Sequence, residues 1–417
     1  MSGQAERKLI RAAAVIDARG IEAAPGAVLL EGRRVIAAGS PSDIGTHEEA
    51  VVIEEPSAVI LPAMVNAHCH LDLSRLEPRP FPGRFESWLE GIAATRAAQE
   101  REGVLRADCD LGIELSLAGG VAFVGDIAGA GKLEPLEALR SGPLGGVSFI
   151  EFFGLGTRQQ DAIARMGALL GSVPDHDRGV GLGVSPHAPY SCGAELYEAA
   201  MDTGLPLATH LAESLEEEQV LRSEDGPFRE LADNLGAWNE GVVMPGVHPV
   251  DALAECMDRR SIMLVHLNYI EDDHVDLLVR SGACVAYCPR ASDYFGHPHG
   301  GRPDHQYGRM FQAGLTVALG TDSRTCLDTP DRIGVLDEMR HLFVRDGADP
   351  AMLLEMATRH GARALGLDES LVTFEPGPVG GVLAVDLMGR PGPDPLQSVL
   401  AQRNAPRWII PPDATGL

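Results

Sequence analysis

Short apolar runs alternate with helical patterns through the middle of this 417-residue chain. Such alternation is typical of parallel βα units, in which helices cover both faces of a sheet. Eight runs predict strands, at residues 58–66, 120–126, 146–153, 179–185, 205–210, 261–266, 283–288 and 315–321. Helical patterns fall between most of them, at residues 86–102, 105–118, 157–171, 193–203, 213–222, 249–258, 271–281 and 330–345. Eight strands with intervening helices predict an α/β fold, the (β/α)8 TIM barrel.

An open, doubly wound sheet would show the same alternation of strands and helices. Sheets of that kind bind dinucleotides through a Gly-x-Gly-x-x-Gly turn after an early strand. The chain contains no such turn. A dinucleotide site therefore has no support, and the barrel is the favoured architecture.

The two ends of the chain predict a second, smaller unit. Short strand patterns, separated by Gly, Pro or charged turns, occur at residues 12–17, 27–31, 34–39, 381–387 and 406–410. A barrel of about 250 residues leaves room for such an appendage. We predict a small β-sandwich domain built from residues 1–57 and 370–417, beside a catalytic barrel domain of residues 58–369.

Charge and composition exclude several classes of partner. The chain carries 34 basic and 60 acidic residues, a net charge of −26, which argues against nucleic acid or an anionic membrane. No segment approaches the roughly 20 apolar residues of a membrane span, and the first residues lack the apolar core of a secretory signal. The seven cysteines form no Cys-x-x-Cys pair, so neither a disulfide framework nor a zinc ribbon is indicated. We expect a cytoplasmic protein that acts on a small molecule.

Two histidines flank Cys69 at the end of the first predicted barrel strand, in the stretch Asn66-Ala67-His68-Cys69-His70. Side chains two residues apart on a strand point to the same face. His68 and His70 are therefore expected to project together, and two neutral imidazoles on one face can bind zinc or iron. A pair of unrelated histidines near a turn is the ordinary alternative.

Polar residues also follow five other predicted strands, at the edge of a barrel where catalytic groups lie. The segments are Ser185-Pro186-His187, Thr209-His210-Leu211-Ala212-Glu213, Val265-His266, Cys288-Pro289-Arg290 and Gly320-Thr321-Asp322-Ser323. Each of these polar residues also has a purely structural explanation when taken alone. Asp322 suits a helix cap, and Glu213 suits the first turn of a helix. Their coincidence at so many strand ends indicates a site.

This combination resembles the amidohydrolase superfamily, in the branch of metal-dependent aminohydrolases that act on heterocycles. The branch includes adenosine-type, S-adenosylhomocysteine, aminodeoxyfutalosine and guanine deaminases, and triazine hydrolases. The resemblance spans roughly residues 8–390, and its motifs are specific for the branch but weak for the substrate. The matching segments are Asn66-Ala67-His68-Cys69-His70, Ser185-Pro186-His187-Ala188-Pro189-Tyr190-Ser191, Thr209-His210-Leu211-Ala212-Glu213, Val265-His266-Leu267 and Gly320-Thr321-Asp322-Ser323.

The resemblance implies one divalent metal, with defined ligands and catalytic groups. The implied ligands are His68, His70, His210 and Asp322. The implied catalytic residues are Glu213 as general acid and base, His266 as hydrogen-bond partner of the water and the oxyanion, and Asp322 as acceptor of a proton from the water. Zinc is expected first, and iron or manganese would accept the same imidazole ligands.

Binuclear members of the superfamily use a carboxylated lysine on the fourth barrel strand as a bridge between two metals. The predicted fourth strand, residues 179–185, contains no lysine. The two lysines of the chain, Lys8 and Lys132, lie elsewhere. We therefore predict a mononuclear site.

Substrate recognition has fewer signals. His187 matches a position that reaches the ribose in related nucleoside deaminases, and Trp88 resembles a residue that covers the purine. Glu151 ends the third predicted strand and is a candidate polar contact, as is Ser323 after the eighth. Arg290 is a candidate partner for a substrate carboxylate. The ordinary alternatives are a hydrogen-bonded loop residue for His187, core packing for Trp88 and a surface salt bridge for Arg290.

The segment from Cys288 to His297 resembles aminodeoxyfutalosine deaminase-like members, and the opening His70-Leu71-Asp72-Leu73-Ser74 does so too. The resemblance therefore implies hydrolytic deamination of a 6-aminopurine nucleoside, with aminodeoxyfutalosine as first candidate. Deamination of S-adenosylhomocysteine or methylthioadenosine is an alternative. Hydrolysis that releases halide, as in chlorohydrolases, or that opens a cyclic amide is another. A homo-oligomer is compatible with the resemblance, and an inactive scaffold is disfavoured because all implied ligands are present.

Overall fold

Strands and helices alternate along the chain in the structure, a computed structural model that describes residues 5–99, 103–174, 179–389 and 392–413. The described strands are β1 (Arg7–Ile16), β2 (Glu22–Ala23), β3 (Gly26–Glu31), β4 (Arg34–Gly39), β5 (Val51–Pro62), β6 (Met64–Cys69), β7 (Val121–Ala128), β8 (Gly145–Phe152), β9 (Val180–Pro186), β10 (Ala208–Leu211), β11 (Met263–His266), β12 (Cys284–Tyr287), β13 (Thr316–Leu319), β14 (Gly377–Pro378), β15 (Val382–Asp386) and β16 (Arg407–Ile410). The described helices are α1 (Pro41–Ile44), α2 (Phe85–Ala98), α3 (Val104–Ala118), α4 (Glu134–Ser141), α5 (Gln159–Ser172), α6 (Ala194–Asp202), α7 (Leu215–Ser223), α8 (Pro227–Asn234), α9 (Pro249–Ala252), α10 (Ala254–Arg259), α11 (His274–Ser281), α12 (Pro289–Phe295), α13 (Tyr307–Gln312), α14 (Val335–Asp346), α15 (Pro350–Ala357), α16 (Arg359–Ala364) and α17 (Pro395–Leu400). The predicted end of the first barrel helix, residues 100–102, lies outside the described residues.

Eight parallel strands, β6 to β13, form the central barrel. The first four pair in chain order, and so do the last four. Parallel bridges join the two halves, between Val184 and Leu207 on one side and between Cys69 and Asp322 on the other. The predicted α/β barrel is confirmed. The closure brings the ends of the first and last strands side by side at one rim, where barrel enzymes place their catalytic groups.

The predicted strand 58–66 is two strands in the structure. β5 pairs with β1 and β15 in a sheet formed by the chain ends, whereas β6 pairs with β7 in the barrel. Val59 and Leu61 pack on the barrel core, while Ala58 and Ile60 belong to the apolar cluster of the terminal sheet. Because successive side chains of a strand point to opposite faces, burial on both faces produces one continuous apolar run. The apolar run at residues 58–66 therefore predicts a buried segment but does not show where β5 ends and β6 begins.

The two ends of the chain meet in one eight-stranded mixed sheet. β1 runs parallel to β5 and antiparallel to β3, and the C-terminal strand β15 lies antiparallel to β5. The predicted pairing of N-terminal with C-terminal strands is therefore present. None of the predicted site residues lies in this sheet.

Most of the predicted helices agree with the structure, but several short helices were absent from the prediction. Leu253 interrupts the predicted helix 249–258 and separates α9 from α10. The unpredicted α12 starts with Pro289, a residue that suits the first helical position. Helices of two turns carry too little periodicity to be recognised by pattern alone. Across the described ranges, no helix has the length and apolar character needed to cross a membrane.

Candidate active site

The four predicted metal ligands lie together at the rim of the barrel. His68 is in β6 and His70 follows it, His210 is in β10, and Asp322 follows β13. All four are buried, and the most exposed of them is His70 at 8%. Asp322 Oδ1 lies 3.3 Å from His70 Nε2 and 3.7 Å from His68 Nε2. The ring centroids of His68 and His210 are 5.1 Å apart. The barrel thus gathers three imidazoles and a carboxylate from three strand ends.

Unpaired ring nitrogens in this cluster suit a divalent metal. Both ring nitrogens of His68 and Nδ1 of His70 are buried with no hydrogen-bond partner among the described residues, a costly state for polar atoms unless a ligand satisfies them. His210 Nδ1 donates to a backbone oxygen at 3.0 Å, which leaves Nε2 for the cluster. Ligand atoms of His68, His70 and Asp322 lie within 4.8 Å of one another. Tetrahedral ligands of zinc are about 3.4 Å apart, so this spacing fits one ion.

Burial favours the neutral form of His210 and His266, whereas at His70 the contact with Asp322 outweighs burial and raises the pKa. Burial, followed by the neighbouring histidines, holds the pKa of His210 well below its usual value. Burial also lowers the pKa of His266 to about 3, against the attraction of Asp322. Neutral imidazole is the form that binds a metal and that can both donate and accept a hydrogen bond.

Glu213 and His266 face each other beside the cluster. Glu213 Oε1 lies 3.4 Å from His266 Nε2, and both residues have a ligand atom within 4.8 Å of Asp322. Burial, and then the charges of Asp322 and Glu217, raise the pKa of Glu213 well above its usual value. A carboxyl group with a raised pKa can donate a proton near neutral pH and take one back. The pair is therefore suited to general acid–base chemistry.

The backbone around these groups is strained. The φ angle is +50° at Ala212, +74° at His266 and +58° at Asp322. Residues other than glycine seldom adopt such angles, and those that do cluster at functional sites where the surrounding structure holds them. The amide of Asp322 donates to the carbonyl oxygen of His68 at 3.1 Å. The fold thus imposes the orientation of the carboxylate relative to the first histidine.

A cavity of about 690 Å³ opens above the cluster. One wall is the inner face of α2, which contributes Trp88. The Trp88 ring stacks on Phe85, with centroids 5.8 Å apart and planes 6° apart, and meets the edge of Phe295 at 5.0 Å. Trp88 is 7% exposed and lines the cavity. It is placed both to pack in an aromatic cluster and to contact a planar ligand.

His187 and Glu151 line the cavity next to the metal-ligand cluster. His187 Nδ1 lies 2.7 Å from Ser191 Oγ, and its Nε2 lies 4.0 Å from Glu151 Oε1. Glu151 Oε2 accepts a hydrogen bond from Arg96 Nη1 at 2.6 Å. Burial opposes ionisation of Glu151, but Arg96 and His187 hold its pKa below the usual value. Glu151 Oε1 is buried with no hydrogen-bond partner in the described part of the chain, so it is free to accept one.

Two of the predicted substrate contacts lie away from the cavity, and the structure corrects both. Arg290 is 5% exposed and donates to Glu338 at 2.6 Å and to Asp328 at 3.0 Å. This buried ion pair joins α12 to α14, so Arg290 has no guanidinium edge left for a substrate carboxylate. Ser323 is fully buried, and its Oγ accepts from the amide of Thr325 in the turn after β13. Neither residue lines the cavity.

Several residues that line the cavity were not predicted. Arg96 of α2 belongs to no motif, and it pairs with Glu151 of β8 and with Asp72. Phe228 and Leu231 of α8 also line the cavity, and the ring of Phe228 lies beside that of Phe85 of α2, with centroids 5.9 Å apart. The pair Gly226-Pro227 followed by apolar residues at helical spacing is a signal that would have found α8.

Charged side chains from α5 and the turn before it line the mouth of the cavity. Arg158, just before α5, and Asp161 and Arg165, on α5, line it opposite the apolar Leu231 and Leu235 on the α8 side. Arg158 and Arg165 are exposed. Within the described ranges, neither guanidinium makes an ion pair or a hydrogen bond. Two unpaired arginines therefore face an apolar surface at the entrance.

Comparison with known proteins agrees with this geometry. The sequence profile of the Amidohydrolase family matches residues 59–410, and the chain belongs to this family. The aminodeoxyfutalosine deaminase of Deinococcus radiodurans is 29% identical over 360 residues, which cover 82% of each chain. A 5-methylthioadenosine/S-adenosylhomocysteine deaminase of Teredinibacter turnerae is 26% identical over 349 residues, or 80% of this chain and 73% of that one. The structure of Helicobacter pylori aminofutalosine deaminase with methylthio-coformycin aligns with a TM-score of 0.79 at 21% identity, over 97% of this chain and 98% of that one. The predicted family resemblance is confirmed, and the structural match supports the barrel fold.

Proposed function

We propose that the protein is a metal-dependent hydrolytic deaminase of a 6-aminopurine nucleoside, with aminodeoxyfutalosine as the first candidate substrate. The observation that carries this proposal is the buried cluster of three imidazoles and Asp322, with Glu213 and His266 beside it at the floor of a cavity. The deaminases among its relatives support the reaction class.

The proposed cofactor is one divalent ion, zinc first, with iron or manganese compatible with the same ligands. When bound, such an ion lowers the pKa of a water molecule toward about 7 and so supplies a nucleophile at neutral pH. The two lysines of the chain lie outside β9 and outside the cavity lining, which supports one ion rather than a lysine-bridged pair. The proposed ligands are His68, His70, His210 and Asp322.

The side chains divide the proton transfers between them. Asp322 accepts the proton that the attacking water loses as its oxygen bonds to the amine-bearing ring carbon. Glu213 protonates the adjacent ring nitrogen, which draws charge away from that carbon. His266 hydrogen-bonds the oxygen on which negative charge develops. Asp322 passes the proton that it accepted to the amine, the carbon–nitrogen bond breaks and ammonia leaves, and the hydroxyl proton returns to Glu213 as the ring carbonyl forms.

The rest of the cavity suits the remainder of a nucleoside. Trp88 offers an aromatic face to a purine. Glu151 Oε1 and His187 are the proposed partners of sugar hydroxyls, because both are polar and line the cavity, Glu151 buried and His187 partly buried. At the mouth, Arg158 and Arg165 take the role that Arg290 does not fill. An unpaired guanidinium beside an apolar wall suits a carboxylate on an apolar or aromatic stem.

Methylthioadenosine or S-adenosylhomocysteine is the second candidate substrate, because a relative that matches most of the chain is named for both. The mouth separates the two carboxylated candidates from methylthioadenosine. Methylthioadenosine has no carboxylate for the two arginines, whereas aminodeoxyfutalosine and S-adenosylhomocysteine each have one. A preference for carboxylated substrates would follow from the two unpaired guanidinium groups.

The wider organisation of the chain is also a proposal. The terminal sheet is proposed to fold as a small β-sandwich domain of the N- and C-terminal segments, with its boundary at the end of β5 near residue 62 rather than at residue 57. The barrel domain would then extend from β6 to about residue 369. We propose a cytoplasmic enzyme with a small-molecule partner, and self-association is compatible with this arrangement.

Ammonia release tests the proposed function directly. The purified protein would be assayed with aminodeoxyfutalosine, adenosine, S-adenosylhomocysteine, methylthioadenosine, guanine and cytosine, with and without chelator pretreatment. We expect ammonia from an adenine nucleoside, loss of that activity after chelation, and recovery on addition of a divalent metal. Protein that contains metal and releases no ammonia from any of these compounds would contradict the proposal.

A further inference from the structure

The peptide groups of Glu213 are held by two buried side chains that the proposed reaction does not use. Its amide donates a hydrogen bond to Glu217 Oε2 at 2.9 Å. Its carbonyl oxygen accepts one from Asn268 Nδ2 at 3.0 Å. Glu217 is fully buried and Asn268 is 3% exposed. The residue assigned to general acid–base chemistry is thus fixed at both ends of its own backbone.

Burying the carboxyl group of Glu217 in this position costs folding free energy. No lysine or arginine pairs with it in the described part of the chain, and its Oε1 has no hydrogen-bond partner there. Burial raises its pKa to about 8, although the amides of Glu213 and Ala212 pull the pKa down. A buried, unpaired carboxyl group costs stability. Retaining it at this point in the fold calls for a specific role.

Helix capping alone does not account for Glu217. Ser214 already caps α7, because its Oγ accepts from the amide of Glu217 at 3.2 Å. In an ordinary capping box the glutamate returns to the amide of the cap residue itself. Here the carboxylate reaches one residue further back, to Glu213, so it bonds the catalytic residue instead of the cap.

Asn268 connects Glu213 to the His266 loop. Asn268 lies two residues after His266, and its Oδ1 accepts a hydrogen bond from Ser292 Oγ of α12 at 2.8 Å. That bond fixes which way the amide group points, so Nδ2 is directed at Glu213. The segment before Glu213 includes the strained Ala212, whose carbonyl oxygen accepts from the amide of Tyr269 at 3.0 Å. Two neighbouring strand ends therefore hold each other in place.

We propose that Glu217 and Asn268 are positioning residues that clamp the backbone of Glu213 and thereby aim its carboxyl group at the reacting ring. They act through Glu213 and do not touch the substrate. This inference rests on the proposed deaminase function, because it assigns the purpose of the clamp to proton transfer. Precise placement matters because a shift of about 1 Å in a reacting group can cost about a hundredfold in rate.

Paired substitutions separate positioning from structural support. Glu217→Gln keeps an oxygen that accepts from the Glu213 amide, whereas Glu217→Leu has similar size and no acceptor. Asn268→Ala removes the clamp from the other side. Glu218→Gln is the matched control, since Glu218 is the next residue of the same helix, is also buried, and pairs with Arg222 and Arg302 outside the cavity.

The measurements are kcat, KM, metal content and melting temperature for each variant. We expect Glu217→Leu and Asn268→Ala to lose about tenfold to a hundredfold in kcat, with KM and metal content unchanged. Glu217→Gln should restore kcat to within about threefold of the wild type, since it retains the acceptor. Glu218→Gln should have wild-type kcat even if it melts at a lower temperature.

Other outcomes would overturn the inference. Wild-type kcat in folded, metal-containing Glu217→Leu or Asn268→Ala would show that the clamp does not position Glu213. Equal losses in Glu217→Gln and Glu217→Leu would do the same, because only one of them lacks the acceptor. An inactive wild type with metal bound would count against the proposed function itself, which keeps the two failures distinct.

Discussion

At the floor of the cavity the polar groups are buried and held by the ends of barrel strands, whereas at its mouth the charged groups are exposed and unpaired. A parallel bridge between Cys69 and Asp322 joins the strand ends of His68 and Asp322, and His210 lies in β10, which pairs with β11. Arg158 and Arg165 belong to α5 and the turn before it. The floor is rigid because strand pairing fixes each backbone there, and the mouth depends on long side chains on the outer layer.

This difference assigns separate tasks to the two regions. Buried imidazoles beside a carboxyl group of raised pKa suit bond breaking, the step that is common to every substrate with an amine on a purine. Exposed arginines suit recognition of the part of a substrate that varies. Floor variants should therefore reduce turnover for all substrates, and mouth variants should change only the choice between them.

The largest effect is expected from Asp322→Asn. This change removes a negative ligand from the cluster and the acceptor for a proton of the water. We expect kcat to fall by about a thousandfold or more for every substrate, because the metal's charge stabilisation is worth several kcal/mol. Elemental analysis of the dialysed variant should show less metal than the wild type. Full metal content with wild-type turnover would contradict the assignment of Asp322 as a metal ligand and proton acceptor.

Glu213→Gln should have the next largest effect. The amide keeps the size of the side chain but cannot pass a proton to the ring, so we expect kcat to fall about a hundredfold or more. Metal content should remain that of the wild type, since Glu213 is not a proposed ligand. If turnover is unchanged with metal in place, proton transfer must be carried by another group.

The smallest and most selective effect is expected at the mouth. Replacing Arg158 and Arg165 together by methionine should raise KM for a carboxylated nucleoside about tenfold, since exposed charge pairs contribute up to about 1 kcal/mol each. KM for adenosine and kcat for both substrates should stay the same. Arg229→Met is the control, because Arg229 lies on α8 and is already paired with Asp233. An equal change in KM for both substrates would contradict the proposal that the mouth selects the substrate while the floor carries out the reaction.

The floor could be predicted from the sequence because its residues sit at fixed offsets from strand ends. His68 and His70 are two residues apart on one strand, and Glu213 follows His210 by three residues. Such local spacing can be read from the sequence once the strands are located. The break between β5 and β6 was not predictable in the same way, since burial on both faces hides it in one apolar run.

The rest of the cavity depends on contacts between segments far apart in sequence. Arg290 follows a barrel strand and was predicted to contact a substrate carboxylate. In the structure it pairs with Glu338 of α14, a partner that the sequence around Arg290 does not indicate. Arg96 shows the reverse case, because it belongs to no motif and gains its place through Glu151 and Asp72. Long-range ion pairs of this kind decide which arginines remain free.

Reaction in ¹⁸O-labelled water tests the central claim most directly. Metal-replete protein would be incubated with a 6-aminopurine nucleoside, and the product and ammonia would be measured together by mass spectrometry and enzymatic assay. Hydrolytic deamination at the floor of the cavity predicts one labelled carbonyl oxygen on the purine ring and one ammonia for each nucleoside converted. Product without the label, or label without ammonia, would contradict the assignment of the site to attack by water on the amine-bearing carbon.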